Sequence, residues 1–102
     1  MADLHLDVKP QTARRLKKIL DLHPDQESFA QEIIAYQIAE LNKAILNLRL
    51  EIKAFEERYQ RSSTEFYAEF SEGALGDRED YVLWAGLYEM LIENERRLNS
   101  LR

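Results

Sequence analysis

The sequence has no cysteine, and it is also poor in glycine and proline. Without cysteine among its 102 residues, the chain can form no disulfide and no thiolate metal site, which suits the reducing cytoplasm. Three glycines and two prolines leave little room for long loops. No apolar run approaches the ~20 residues that span a bilayer, and charged residues occupy the place of a signal peptide's apolar region. We therefore expect a small cytoplasmic protein with no membrane contact.

Motifs for catalysis and cofactor binding are also missing. The sequence contains no Ser-His-Asp order, no glycine-rich phosphate loop and no carboxylate–histidine zinc signature. The only histidines are His5 and His23. The sequence therefore predicts a protein that is not an enzyme and that holds no cofactor and no metal.

The longest pattern that is present is an apolar stripe between Ile34 and Tyr59. Its members recur at alternating steps of four and three residues, the period of a coiled coil. They are Ile34, Ile38, Leu41, Ile45, Leu48, Ile52, Phe55 and Tyr59. No proline or glycine interrupts the stripe, so it predicts a single helix that ends near Gln60. One helix cannot bury such a stripe alone, and a second helix must cover it.

A short aromatic helix is predicted to follow. Ser63 or Thr64 would cap it, it would run over about 65–72, and Gly73 suits its left-handed end. Aromatic residues of this helix and the next either pack as a local core or form a contact surface for a protein partner. These partner-contact candidates are Phe66, Tyr67, Phe70, Tyr81, Trp84 and Tyr88.

The last predicted helix begins near Arg78, after a cap at Asp77, and ends at Leu101. Its apolar stripe again steps by three and four, through Trp84, Leu87, Leu91, Asn94, Leu98 and Leu101. The long stripe then has three possible partners. It could pair with a second copy as a parallel coil, it could receive this last helix, from the same chain or from a second copy, as an antiparallel hairpin, or it could stay open until a partner protein covers it. We favour the hairpin, because burying ~600 Å² of apolar surface yields roughly 15 kcal/mol before chain entropy is subtracted.

The N-terminal residues 3–9 alternate polar and apolar side chains, which predicts a half-buried strand. Leu4, Leu6 and Val8 would face inward. A lone strand needs a second strand, so the pattern also predicts a homodimer. Pro10 would then open a helix, which ends before Pro24, and Asp25 or Ser28 would cap the long helix.

This order of strand, helix, proline-containing turn and helix resembles the ribbon-helix-helix family. The resemblance rests on the run from Leu4 to Pro10, on Leu16, and on the start of the next helix at Ser28–Ile33. It implies an intertwined dimer in which two N-terminal strands pair. The dimer and core residues would be Leu4, Leu6, Val8, Leu16, Phe29, Ile33, Ile34, Ile38 and Leu41. The segment from Phe66 to Trp84 is similar to C-terminal regions of small bacterial antitoxins.

The resemblance also implies DNA binding through the outward strand residues. These DNA-facing candidates are Asp3, His5, Asp7 and Lys9. Carboxylates are repelled by phosphates and by base acceptors, so this acidic strand disfavours DNA as a ligand. Residues 61–102 carry five basic and nine acidic residues, net −4, which argues against nucleic-acid binding there and suits a basic protein partner.

The sequence thus predicts a mainly α, ribbon-helix-helix-like dimer with one strand per chain and a C-terminal helical hairpin. Residues 1–45 would form the dimerisation domain and residues 46–102 a helical extension. The predicted function is that of an antitoxin-like or regulatory binding protein, which would bind a basic toxin through its C-terminal helices. The alternative is a structural or adaptor dimer that has lost DNA binding.

Overall fold

Four helices make up the regular structure of residues 3–102. The computed structural model describes residues 3–102, in which the helices are α1 (Pro10–Asp21), α2 (Gln26–Tyr59), α3 (Ser63–Ser71) and α4 (Glu79–Leu101). The chain divides into two compact units at Ala35 and Tyr36, and this boundary lies inside α2. Within residues 3–102, no helix is both long enough and apolar enough to cross a membrane.

The predicted N-terminal strand is wrong. Residues 3–9 have no regular secondary structure, and no strand occurs anywhere in the part of the chain that the structure describes. The reason is that a strand needs a neighbouring strand for its backbone hydrogen bonds, and no other described segment offers one. The two-stranded ribbon of the predicted fold is therefore absent, while the mainly α prediction agrees with the structure.

Caps and glycines set the helix ends, in part as the sequence predicts. The Asp25 carboxylate accepts hydrogen bonds from the Glu27 backbone N–H at 3.0 Å and the Ser28 hydroxyl at 2.7 Å, as expected of a helix cap. The cap of α3 is Ser62, whose hydroxyl accepts from the Glu65 backbone N–H at 3.2 Å, and not Ser63 or Thr64 as predicted. Gly73 has a φ of 78°, the left-handed conformation expected after a helix.

The second unit, Tyr36–Arg102, contains a hairpin of α2 and α4. Arg58 pairs with Asp80 at one end and Arg49 with Glu95 further along, so residue numbers fall along α2 as they rise along α4 and the two helices are antiparallel. Of the three arrangements considered for the long stripe, this is the folded-back one. The core consists of Ile45, Leu48, Ile52, Phe66, Trp84, Ala85, Leu91 and Leu98.

The first unit, which ends at Ala35, contains α1 and the first turns of α2. No side chain in its described part is buried. Pro10 stands at the first turn of α1, where its missing N–H needs no partner. The described residues of this unit therefore form amphipathic helices but no closed core of their own.

Candidate functional site

The first candidate is the apolar face of the first unit, which we name the N-terminal surface. It consists of Leu16, Ile19 and Leu20 of α1 and Phe29, Ile33 and Ile34 of α2. The spacing of these residues by one, three and four positions places them on one face of each helix. Their side chains are half-buried or exposed, with Ile33 50% and Ile34 40% exposed.

This surface is unusual because its apolar side chains are grouped. Single exposed leucines are normal on proteins, whereas contiguous apolar patches mark interaction sites. Fully covering an isoleucine side chain contributes about 1.5–3 kcal/mol. Ile19, which is 42% exposed, would therefore gain roughly 1 kcal/mol from a partner that covers it.

Charges around the N-terminal surface almost balance. Residues 3–35 carry five basic and six acidic residues, net −1. The basic residues include Arg14, Arg15, Lys17 and Lys18 of α1, all exposed. Five of the six acidic residues lie before α1 or around the α1–α2 turn, so two copies of this unit can place opposite charges against each other.

The segment 3–9, which precedes α1, adds further exposed apolar residues. Leu4 is 93%, Leu6 65% and Val8 41% exposed, so none of these three predicted core residues is buried. The predicted DNA-facing residues Asp3, His5, Asp7 and Lys9 lie in the same segment and are exposed. Because the segment forms no strand, the strand face that would have presented them to a DNA groove does not exist.

The remaining predicted dimer residues, Ile38 and Leu41, belong to the second unit. Both are half-buried and pack against its core. Their partial burial comes from packing against this core, so in this structure these two residues serve the fold of a single chain.

The second candidate is the aromatic cluster of the second unit. Phe66 and Trp84 are fully buried, and their rings stack with centroids 3.8 Å apart and planes 3° from parallel. Phe55 and Tyr59 of α2 stack on the same indole at 5.7 and 5.8 Å. Two of the six partner-contact candidates, Phe66 and Trp84, therefore lie in the interior, where they hold α2, α3 and α4 together.

A chain of three hydrogen bonds, which runs from the buried Trp84 and Ser63 to the half-buried Glu56, supports this aromatic cluster. The Trp84 indole N–H donates to the Ser63 hydroxyl at 2.9 Å, and that hydroxyl donates to the Glu56 carboxylate at 2.8 Å. The Ser63 backbone N–H donates to the same carboxylate oxygen at 2.9 Å. Buried polar atoms need such partners. No periodic pattern predicts this contact, since Glu56 lies among the polar positions of α2.

The other four aromatic candidates are half-buried. Tyr67 packs on Tyr88 with ring centroids 5.0 Å apart, and its hydroxyl donates to the Glu89 carboxylate at 2.7 Å. Tyr81 and Phe70 both pack on Phe66. The rings of these four residues are therefore partly accessible to a partner, although they also pack against other residues of the second unit.

Asp80 joins the start of α4 to the end of α2. Its carboxylate accepts hydrogen bonds from the Tyr59 hydroxyl and from the Arg58 guanidinium. The Tyr59 hydrogen bond, followed by the Arg58 hydrogen bond and charge, lowers the pKa of Asp80 below its ordinary value of 3.8. In the same pair the carboxylate raises the pKa of Tyr59.

We expect the stabilisation from Asp80 to depend on pH. A carboxyl whose pKa is lower in the folded state stabilises the fold above its unfolded pKa and loses this effect as the pH falls through its folded pKa. Asp80→Asn should therefore unfold at lower urea concentration than the wild type at pH 7, and the difference should shrink as the pH falls from 4 to 2. Urea titrations at several pH values measure this. A difference between the two proteins that stays constant down to pH 2 would contradict the assignment.

No protein-family model, curated protein or solved structure matches this chain. The ribbon-helix-helix resemblance therefore rests only on the sequence pattern of Leu4–Pro10, Leu16 and Ser28–Ile33, and the surfaces of the two units are what bears on function.

Proposed function

We propose that this protein is a non-enzymatic, antitoxin-like or regulatory binding protein of the cytoplasm. In this proposal it forms a homodimer through the N-terminal surface and binds a protein partner through its C-terminal helices. One observation on the first unit supports dimerisation. Its helices are amphipathic, and no side chain in its described part is buried. The absence of cysteine supports the cytoplasmic location.

The charges of the first unit favour a second copy of the chain as the partner that covers the N-terminal surface. A near-neutral unit with basic and acidic regions can pair with itself, and a two-fold axis would let each basic region meet the other copy's acidic region. Each copy also covers the other's apolar face. This contact does not need the N-terminal ribbon that the structure lacks.

The alternative function is a structural or adaptor dimer without DNA binding. The exposed segment 3–9 favours it, because that segment contains Asp3 and Asp7 and offers Lys9 as its only cation. Phosphate contacts require cationic side chains, and this segment carries few. Both functions share the dimer, and they differ in whether the C-terminal helices regulate a partner or only connect to it.

Ile19→Glu is expected to weaken the dimer at least about 100-fold. The substitution occurs twice in a dimer, and each copy loses apolar burial and places a carboxylate in the contact, about 1.5–3 kcal/mol or more per site. Sedimentation equilibrium measures the dissociation constant. Gln11→Glu, which adds the same charge to the polar face of α1, is the matched control and should change that constant less than about threefold. Equal effects of both variants on the dissociation constant would show that the N-terminal surface is not the dimer contact.

A further inference from the structure

A groove of about 450 Å³ lies in the second unit, where residues of α2, α3 and α4 meet. The most buried residues that line it are Ile52, Ser63 and Leu91, which are between 4% and 6% exposed. Hydroxyl groups and charged side chains of both signs surround them. The groove therefore has a small apolar floor inside a ring of hydrogen-bonding groups.

Most of the charged groups in this ring already have partners. Arg49 pairs with Glu95, and the Glu56 carboxylate accepts hydrogen bonds from the backbone N–H and the hydroxyl of Ser63. Lys53 differs, because it forms no ion pair in the part of the chain that the structure describes. The groove thus offers one cation that can bind a carboxylate from outside.

This lining suits an extended peptide better than a helix. A helix satisfies its own backbone hydrogen bonds and binds through a continuous apolar face. An extended peptide brings backbone groups that need partners, and the hydroxyls of Thr64 and Tyr88, 3.5 Å apart, can provide them. From Arg49 to Glu56 the groove follows α2 for about 10 Å, the length of about three residues of extended chain.

The chain itself contains a peptide of this kind in residues 3–9. This segment has no regular secondary structure, and its backbone N–H groups form no hydrogen bond within the described residues. Leu4 and Leu6 are 93% and 65% exposed. Because alternate side chains of an extended peptide point the same way, both leucines can lie on the apolar floor while Asp7 reaches the rim, where Lys53 lies.

We propose that the segment 3–9 of one copy binds in this groove of a second copy, with its leucines on the apolar floor and Asp7 beside Lys53. This inference rests on the proposed dimer and adds to it a binding site in each second unit. A segment that is tethered within a dimer has a raised effective concentration at any site it can reach. The contact would also cover two leucines that a single chain leaves in water.

Disulfide formation between introduced cysteines tests this contact, because the natural chain contains no cysteine. One full-length chain has Leu6→Cys. The other is isotopically labelled and has Ile92→Cys, at a groove position that is 47% exposed. Mass spectrometry then separates mixed pairs from like pairs. In a glutathione buffer the mixed disulfide should form at least about tenfold faster than with a labelled Leu50→Cys chain.

Leu50→Cys is the matched control for the groove position. Leu50 lies on α2, is 60% exposed and does not line the groove. A cysteine there meets Leu6→Cys only through random encounters. Equal rates for Ile92→Cys and Leu50→Cys would overturn the inference.

Lys53→Asp tests the charge contact in the same assay. The variant replaces the unpaired cation by a carboxylate, which repels Asp7, so we expect the mixed disulfide to form about fivefold more slowly at low salt. Lys43→Asp makes the same change at another exposed position of α2 and should alter the rate less than about twofold. Equal effects of the two variants would contradict the contact between Asp7 and Lys53.

One further result would overturn the exchange between copies. It is a disulfide within a single chain, and not between chains, in the double variant Leu6→Cys/Ile92→Cys. Sedimentation of the wild type measures dimerisation separately. A dimer without preferred disulfide formation at Ile92→Cys would remove only the groove contact, whereas a single chain in sedimentation would remove the proposed dimer as well.

Discussion

Phe66→Ala is expected to destabilise the second unit by about 3–5 kcal/mol, the usual cost of removing a large aromatic side chain from a core. Phe66 is fully buried and stacks directly on Trp84. Its loss would leave a cavity beneath the indole ring. Since small domains are stable by only about 5–15 kcal/mol, the variant should lose a large share of its stability. Urea titration followed by the fluorescence of Trp84, the only tryptophan, measures this effect.

The matched control for Phe66→Ala is Leu50→Ala. Leu50 is 60% exposed, and a surface leucine in a helix loses little on truncation, so we expect a change within about 0.5 kcal/mol. If Phe66→Ala were as mild as Leu50→Ala, Phe66 would not be in the core, and its role as a partner contact would become the better interpretation.

Leu91→Asp is expected to destabilise the fold by more than about 2 kcal/mol, because a carboxylate would replace an apolar side chain inside the hairpin. Leu91 is only 6% exposed and belongs to the core of the second unit. Circular dichroism at 222 nm during urea titration follows the loss of helix.

The neighbouring residue provides the control for Leu91→Asp. Ile92 is 47% exposed, so Ile92→Asp places the same carboxylate in the same helix turn while keeping it in water. It should cost less than about 1 kcal/mol. Equal costs of the two variants would mean that α4 does not pack on α2 in solution.

Helices with strong periodicity could be predicted from the sequence. The 4-3 spacing of apolar residues on α2 and α4 depends only on the helical repeat, and both helices have nearly the predicted limits. The hairpin follows from the same spacing, because each stripe needs cover and the two can provide it for each other. Periodicity does not locate the start of α3, because each of the neighbouring residues Ser62, Ser63 and Thr64 can cap a helix.

The N-terminal strand shows where local patterning is insufficient. Alternation over residues 3–9 describes which side chains could share a face, but a strand also depends on a pairing partner elsewhere. A helix satisfies its backbone hydrogen bonds internally, so α1 forms without such a partner. This is why the strand predicted from period-two alternation is wrong, whereas the helices predicted from helical spacing are present.

Contacts that depend on single side chains could not be predicted either. The hydrogen bond from the Trp84 indole to Ser63, and from there to Glu56, involves three helices and follows no repeat. The aromatic residues of the second unit could have formed a core or a partner surface by sequence alone. Burial separates them, since Phe66 and Trp84 are internal while Tyr67, Phe70, Tyr81 and Tyr88 remain partly accessible.

Sedimentation velocity of the full chain from about 1 to 100 μM tests the central claim most directly. The claim is that the first unit, in which no side chain of the described residues 3–35 is buried, needs a second copy to cover its apolar face. We expect a species of twice the 12.1 kDa chain mass across this range, which Ile19→Glu converts to a single chain. A wild-type protein that sediments as a single chain at 100 μM would contradict the claim.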